Sequence, residues 1–359
     1  MIQSSPLAVT MGCPVGIGPE IILKYFSQTE AAERPPLIVI GDLNVLARCS
    51  DLLGIKVDLF PCKPGAEMPP EGIAVYTPPE SPVLDPGSLS WGVPDRNTAR
   101  AMAVFIEEAV RLAREGSIRG LVTCPISKAA LRKAGYPYPG HTEMIAFLCS
   151  SSDYAMMMAG SRLRVTLVTI HTPLAEVPAE LSRDKVSSLI ELTGSSLFRD
   201  FGVASPVIAV AGLNPHAGED DLFGREERLI IEPAVQEARK SGGWQVEGPL
   251  PADSLFYKAV QKGYDAVVCM YHDQGLIPFK MLHFTDGVNV TIGLPLVRTS
   301  VDHGTAYDIA GQGKADFTSL AAAVRTAAEI AEHRRQADKK TEAGNQERVT
   351  DDLSQERSC

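Results

Sequence analysis

Two rhythms of apolar and polar positions alternate along this chain. Short apolar runs closed by glycine, proline or polar residues predict buried strands: PLAVTM from Pro6 to Met11, LIVIGD ending on Asp42, GIAVYT from Gly72, LVTCPIS from Leu121, RVTLVTIH ending on His171, PVIAVAG from Pro206, and the run from Ala266 to Met270. Between them, apolar residues at helical spacing predict IILKYF after Glu20, TARAMAVFIEEAVRLAREG, and SLAAAVRTAAEIAEHRRQ beyond Asp316. Asp95 or Asn97 suits the cap of the second of these helices, and Gly116 its end. The proline-rich stretch 61–94 reads as loops with short strands. From Asp338 the pattern loses its apolar stripe, which predicts a polar, disordered tail over 338–359. Strands interleaved with helices place the chain in the α/β class.

In such sheets ligands sit beyond the carboxyl ends of the strands. Three strand-like runs lead into histidines there: His171, His216 in GLNPHAGE, and His272 in MYHDQG. A single strand-end histidine is usually structural. Three at one edge suit an all-nitrogen divalent-metal site with open positions for water or substrate. The loop from Gly12 to Glu20 joins a strand to a helix and, with Asp42 further on, superficially suits a dinucleotide cradle. Ile21 stands where that fingerprint needs its third glycine, so a tight structural turn is the competing reading. Lys128, at the start of a helix after LVTCPIS, reads equally as a surface lysine. In PGHTE, Thr142 reads as a helix cap with His141 incidental.

Composition narrows the function classes. The 359 residues suffice for about two domains, and a net charge of −10 argues against a nucleic-acid partner. Local cations would then have to hold any anionic substrate. No apolar run approaches the roughly 20 residues of a membrane helix, and the first residues lack a signal-peptide pattern. Seven cysteines without a C-x-x-C pair suggest reduced, buried thiols and a cytoplasmic protein.

The motifs MGCPVGIGPE, GHTE, GLNPHAGE, GPLPAD, MYHDQGLIPFK and GVNVTIGLPLVRTSVDHGTAYDIAGQGKAD together resemble the 4-hydroxythreonine-4-phosphate dehydrogenase family of vitamin B6 biosynthesis, across residues 6–330. HGTAYDIAGQGKAD is also similar to the cofactor loop of isocitrate and isopropylmalate dehydrogenases. The resemblance implies two α/β/α domains with a cleft between them: a discontinuous cofactor-side domain, 1–135 plus 287–335, and a metal, substrate and dimerisation domain, 136–286. It implies a homodimer with a shared active site, in which His171, His216 and His272 bind one divalent metal (Zn, Mg or Co). His141, Thr142, Lys280, Asn289 and Arg298 fall on substrate-binding positions, with Asp253 as a further one. Asp273 and Lys280 are the candidate catalytic side chains, and the loop from His303 to Gly311, with Gly304 and Asp308, would hold NAD or NADP. Cys13 stands where the family usually has an aspartate, which leaves the substrate open.

The implied reaction is oxidation of 4-phosphohydroxy-L-threonine followed by decarboxylation. A metal on neutral imidazoles would act as a Lewis acid, and the cofactor would take the hydride. Asp273 either orients a ligand or relays a proton, unless it is merely solvated. Arg298 and Lys280 suit a phosphate. The alternatives are the same chemistry on D-threonate or D-erythronate 4-phosphate, a metal-dependent hydrolase working without nicotinamide, and a sensor that kept the fold.

Overall fold

The computed structural model describes the backbone of residues 5–356 and the side chains of residues 5–339. Its strands are β1 (Leu7–Thr10), β2 (Leu37–Ile40), β3 (Leu59–Pro61), β4 (Ile73–Tyr76), β5 (Leu121–Thr123), β6 (Ala155–Ala159), β7 (Arg164–Leu167), β8 (Val207–Ala211), β9 (Gln245–Leu250), β10 (Ala266–Cys269), β11 (Val288–Ile292) and β12 (Arg298–Val301). They form one sheet in the order β3-β4-β2-β1-β5-β12-β11-β6-β7-β10-β8-β9. The helices are α1 (Gly18–Gln28), α2 (Leu43–Leu53), α3 (Arg96–Arg114), α4 (Lys128–Lys133), α5 (His141–Leu148), α6 (Val177–Glu180), α7 (Arg183–Arg199), α8 (Glu232–Ser241), α9 (Ala252–Lys258), α10 (His272–Leu282) and α11 (Thr318–Glu356). The architecture is α/β, as the alternation of rhythms predicts.

The pairing directions position the site. β3 to β12 form one parallel block and β7, β10, β8 and β9 another. β11 and β6, inserted between them, pair antiparallel on both sides. The two parallel blocks therefore run in opposite directions, and the middle of the sheet is where strand order and direction both switch. Open α/β folds bind ligands at such a switch.

Both faces of the sheet are covered, which is why the strands read as continuous apolar runs. Along β10, Ala266 and Val268 face one buried cluster while Val267 and Cys269 face another, the period-two alternation of a strand. A third cluster joins Leu7, Phe105 and Ile145 to Val290 and Leu320. It extends to α5 and β6.

Local chemistry sets the element ends. Asp95 caps α3 in a reciprocal box: its carboxylate accepts the Thr98 N–H at 2.7 Å, while Thr98 Oγ1 accepts the Asp95 N–H at 2.8 Å. Gly116 follows with φ +74°. Thr142, read from sequence as a possible cap, lies inside α5, whose N-cap is Gly140. The polar segment expected to be a disordered tail from Asp338 continues α11 as far as Glu356. Glu, Gln, Lys and Arg, good helix formers, make up eight of the nineteen residues from Asp338 to Glu356, and extending an existing helix needs no new nucleus. Residues 357–359 of that stretch lie outside the described residues.

Candidate active site

A cleft of about 460 Å³ crosses the face of β12, β11 and β6. Period-two alternation puts Arg298, Ser300, Asn289, Thr291, Met158 and Met156 on that face, since Asn289 lies opposite both Ser300 and Met158, and Thr291 opposite Met156. The rim comes from loops beyond β5 and β12 on one side and beyond β7 and β10 on the other.

Arg298 is the most informative residue on this wall. It is only 2% exposed, yet among the described residues no carboxylate pairs with it. Its guanidinium donates to Thr291 Oγ1 (2.9 Å), Thr123 Oγ1 (2.9 Å) and Thr142 Oγ1 (3.4 Å), while Nε is buried without a partner. Burial pulls its pKa down to about 10, partly offset by the Glu143 charge. The group stays cationic at neutral pH, and a desolvated cation held only by hydroxyls calls for an anionic ligand. Two further buried polar atoms on the cleft walls, His141 Nε2 and Asn289 Oδ1, lack partners. His141 is kept neutral, its pKa pushed well below the usual histidine range by burial and then by Arg298 and Lys128.

Lys280 also lines the cleft, but as a paired cation: its Nζ lies 3.0 Å from Asp302 Oδ2. Lys128, left open from sequence, lines the cleft at the start of α4. Thr123, Thr291 and Asp302 were not foreseen. The two threonines carry only a strand-alternation signal, and Asp302 stood unremarked beside His303.

His171 and His272 lie side by side at the ends of the neighbouring parallel strands β7 and β10, ring centroids 6.2 Å apart. Burial lowers the His171 pKa, with the Lys128 charge adding to it. The Asp273 carboxylate lies 2.7 Å from His272 Nδ1. Accepting that proton leaves the Nε2 lone pair of His272 free, the usual carboxylate–histidine arrangement at a metal. This pair fits a divalent metal as two of its donors. His216, although it follows the adjacent strand β8, is exposed on a separate loop with its ring 6.0 Å from Phe223. Among the described residues no group of three His, Cys, Asp or Glu is close enough to hold a metal. The expected three-histidine convergence is thus not met within one chain, because the loop after β8 carries His216 away from the other two.

Other expected residues separate in the same way. His303 and Gly304 line the cleft, and His303 Nε2 is buried without a partner. Asp308 is exposed farther along that loop, and Gly311, with φ +74°, packs against Trp91. Asp273 lines an adjoining recess with His171 and His272. Asp253 is exposed in the first turn of α9 and does not line the cleft.

The dinucleotide-cradle reading of the first glycine loop is overturned. Met11 to Glu20 are all buried, and Gly18 is needed because a Cβ there would lie 2.0 Å from Met11 O. Asp42 is used as the α2 cap, accepting from the Asn44 and Val45 N–H groups. Cys13 is buried off the cleft, where Tyr307 Oη–H donates to its Sγ at 3.3 Å. Burial pushes the Cys13 thiol pKa up. The six cysteines among the described residues are free thiols. No helix among those residues is long and apolar enough to cross a membrane.

Residues 33–327 match the family model described as "Pyridoxal phosphate biosynthetic protein PdxA". A 4-hydroxythreonine-4-phosphate dehydrogenase of Desulfosudis oleivorans is 51% identical over 320 residues, covering 89% of this chain and 94% of its own. Among solved structures, the 4-hydroxythreonine-4-phosphate dehydrogenase of Klebsiella pneumoniae is similar with a TM-score of 0.84 and 42% identity, covering 91% of this chain and 98% of its own. A terephthalate 1,2-cis-dihydrodiol dehydrogenase of Burkholderia xenovorans is similar at TM-score 0.61 and 30% identity, covering 90% and 97%.

Proposed function

Because this chain belongs to the 4-hydroxythreonine-4-phosphate dehydrogenase family, and so is a dehydrogenase, we propose that it oxidises 4-phosphohydroxy-L-threonine with NAD or NADP and a divalent metal. The product, 2-amino-3-oxo-4-phosphooxybutanoate, then loses carbon dioxide to give 3-amino-2-oxopropyl phosphate, a precursor in pyridoxal phosphate synthesis. The observation that carries this reading is Arg298, a buried cation on the cleft wall without a carboxylate partner among the described residues.

In this reading Arg298 takes the substrate's anionic end, with Lys280 as a second cationic donor and Asn289 Oδ1 as an acceptor on the same wall. Neutral His141 accepts or donates a single hydrogen bond without adding charge. Thr142 keeps the guanidinium plane in place through its hydroxyl. Asp273 orients His272 by holding its Nδ1 proton. His171 and His272, with His216 of the partner subunit, would hold the metal, which supplies Lewis acidity toward the alcohol oxygen when bound. The loop from His303 to Gly311 would hold the nicotinamide cofactor. The domain division at residues 135 and 286 and a cytoplasmic location belong to the same reading.

A homodimer with a shared site is supported by two features. His216 stands apart from the cleft of its own chain. Ile277 and Met281, one turn apart on α10, are 59% and 82% exposed, and Phe284 beyond them is 77% exposed, an apolar face on and just after the helix that starts at His272.

D-threonate and D-erythronate 4-phosphate are the runner-up substrates, since the cationic wall recognises the phosphate all three share. Cys13 gives them no added weight, because it lies off the cleft. The test is reduction of NAD and NADP, with Zn, Mg or Co supplied, on the three phosphates in parallel. Strong preference for 4-phosphohydroxythreonine is expected. Preference for either sugar-acid phosphate would move the enzyme to catabolism, and turnover of none would refute the reading.

A further inference from the structure

His216 sits in an unusual stretch of backbone. From His216 to Asp221, six consecutive residues have positive φ, at 53°, 54°, 88°, 42°, 53° and 71°, and only Gly218 is a glycine. Residues with a Cβ avoid this region because the Cβ crowds the following carbonyl, so such a run persists only where its surroundings impose it.

At its far end Asp221 is held by Arg228 at 2.6 Å, and the base of the run before His216 is held by a buried carboxylate. Glu227 is buried, and its Oε1 accepts the backbone N–H groups of Leu213 and Asn214, each at 2.7 Å. Its Oε2 accepts from Asn214 Nδ2 at 2.9 Å. Asn214 O in turn accepts the Ala217 N–H at 3.1 Å, closing the turn that carries His216. The fit is close: a Cβ on Gly212 would lie 3.2 Å from Oε1, and one on Gly218 would lie 2.9 Å from Oε2. Among the described residues Glu227 has no cationic partner, so these N–H donors alone satisfy its charge. It opens the π-helical turn Glu227–Ile231, a distortion that re-aims side chains and recurs at functional sites. The start of the loop is also tied to the strand end before His272. Gln274 Nε2 donates to Gly212 O at 2.6 Å, and its Oε1 accepts the Met270 N–H at 2.7 Å.

We propose that Glu227 is the positioning residue for His216, holding the left-handed loop that presents this imidazole to the metal site. The proposal rests on His216 being a metal ligand, as in the reading above. Without the carboxylate, the Leu213 and Asn214 N–H groups lose their acceptor and the loop relaxes toward negative φ, carrying the imidazole with it.

The test is Co²⁺ titration of the metal-free full-length protein, followed by visible absorption, with the metal-free melting midpoint measured beside it. Glu227→Gln loses the Asn214 bond at nearly unchanged shape and should weaken Co²⁺ binding about 10-fold with its midpoint unchanged. Glu227→Ala should approach about 100-fold, the range seen when a partner that orients a metal ligand is removed. If Glu227→Ala does not fold, Glu227→Gln decides. His216→Ala separates the two layers of the inference. Loss of Co²⁺ binding in His216→Ala with wild-type affinity in Glu227→Gln overturns the positioning role alone. Wild-type affinity in His216→Ala overturns the ligand reading and the proposal with it. Weaker binding in Glu227→Gln matched by a fallen midpoint would make Glu227 merely structural and also overturn it.

Discussion

Arg298 shows how a single residue states a ligand's chemistry. A guanidinium held by threonine hydroxyls, with one nitrogen unpartnered, carries a desolvation cost that an anion relieves. Hydrogen bonds to charged groups contribute about 1.5–3 kcal/mol each, so Arg298→Gln should lower kcat/KM for the phosphorylated substrate roughly 10- to 150-fold, mainly through KM. Steady-state kinetics with an unchanged KM would contradict that role. His141 yields a pH signature. Its folded pKa lies well below the ordinary value of 6.5, so below that pH the unfolded chain takes a proton that the native state refuses. The wild type should therefore lose stability relative to His141→Gln as pH falls below 6.5, by up to about 1.4 kcal/mol per pH unit, with a constant difference above pH 7. Urea unfolding at several pH values measures it, and parallel curves would refute it. Cys13 touches Tyr307 rather than the cleft, so Cys13→Asp should leave the order of substrate preference unchanged in competition assays. The motif positions of Arg298, His171 and His272 were legible in the sequence. The threonines around Arg298 were not, because a buried strand threonine looks the same whether it fills the core or holds a cation.

At the scale of elements, the first glycine loop turned out to brace the other loop rather than hold a nucleotide. Glu20, fully buried in α1, accepts the N–H groups of Gly313 (3.2 Å) and Ala315 (2.7 Å), while Lys24 donates to both of their carbonyl oxygens. Gly16, whose Cβ would lie 3.2 Å from Thr305 O, lets the two loops meet. The sequence carried the glycines and the acidic residue but not their partners, which lie nearly 300 positions away. Glu20→Ala, which strands buried donors and the Lys24 charge, should cost about 3 kcal/mol in urea unfolding. A change under about 0.5 kcal/mol would show the brace to be dispensable. Strands and long helices were legible because both sheet faces are covered and α3 carries its own caps. The end of α11 was not, since loss of an apolar stripe does not stop a chain of helix formers. The helix is fixed upstream by Arg334, bonded to the buried Asp200 at 2.7 and 3.0 Å, and by Thr299 Oγ1 donating to Ala323 O. Ending the chain at Asp338 should thus leave the melting midpoint and turnover unchanged.

For the whole molecule, the opposed directions of the two parallel blocks explain why one cleft gathers residues from Pro125 to Gly304. They also explain why topology alone could not place His216. It follows the correct strand, yet its loop turns outward through left-handed backbone that no sequence pattern announces. The proposed metal site would therefore need a second subunit to complete it. The most direct measurement mixes two inactive variants, His171→Ala and His216→Ala, after dissociation and reassociation, and follows reduced nicotinamide on 4-phosphohydroxythreonine. In a mixed dimer one site collects both defects and the other has none, so random pairing should restore about a quarter of wild-type turnover. No recovery in proven mixed dimers, or full activity of His216→Ala alone, would contradict a site shared between subunits.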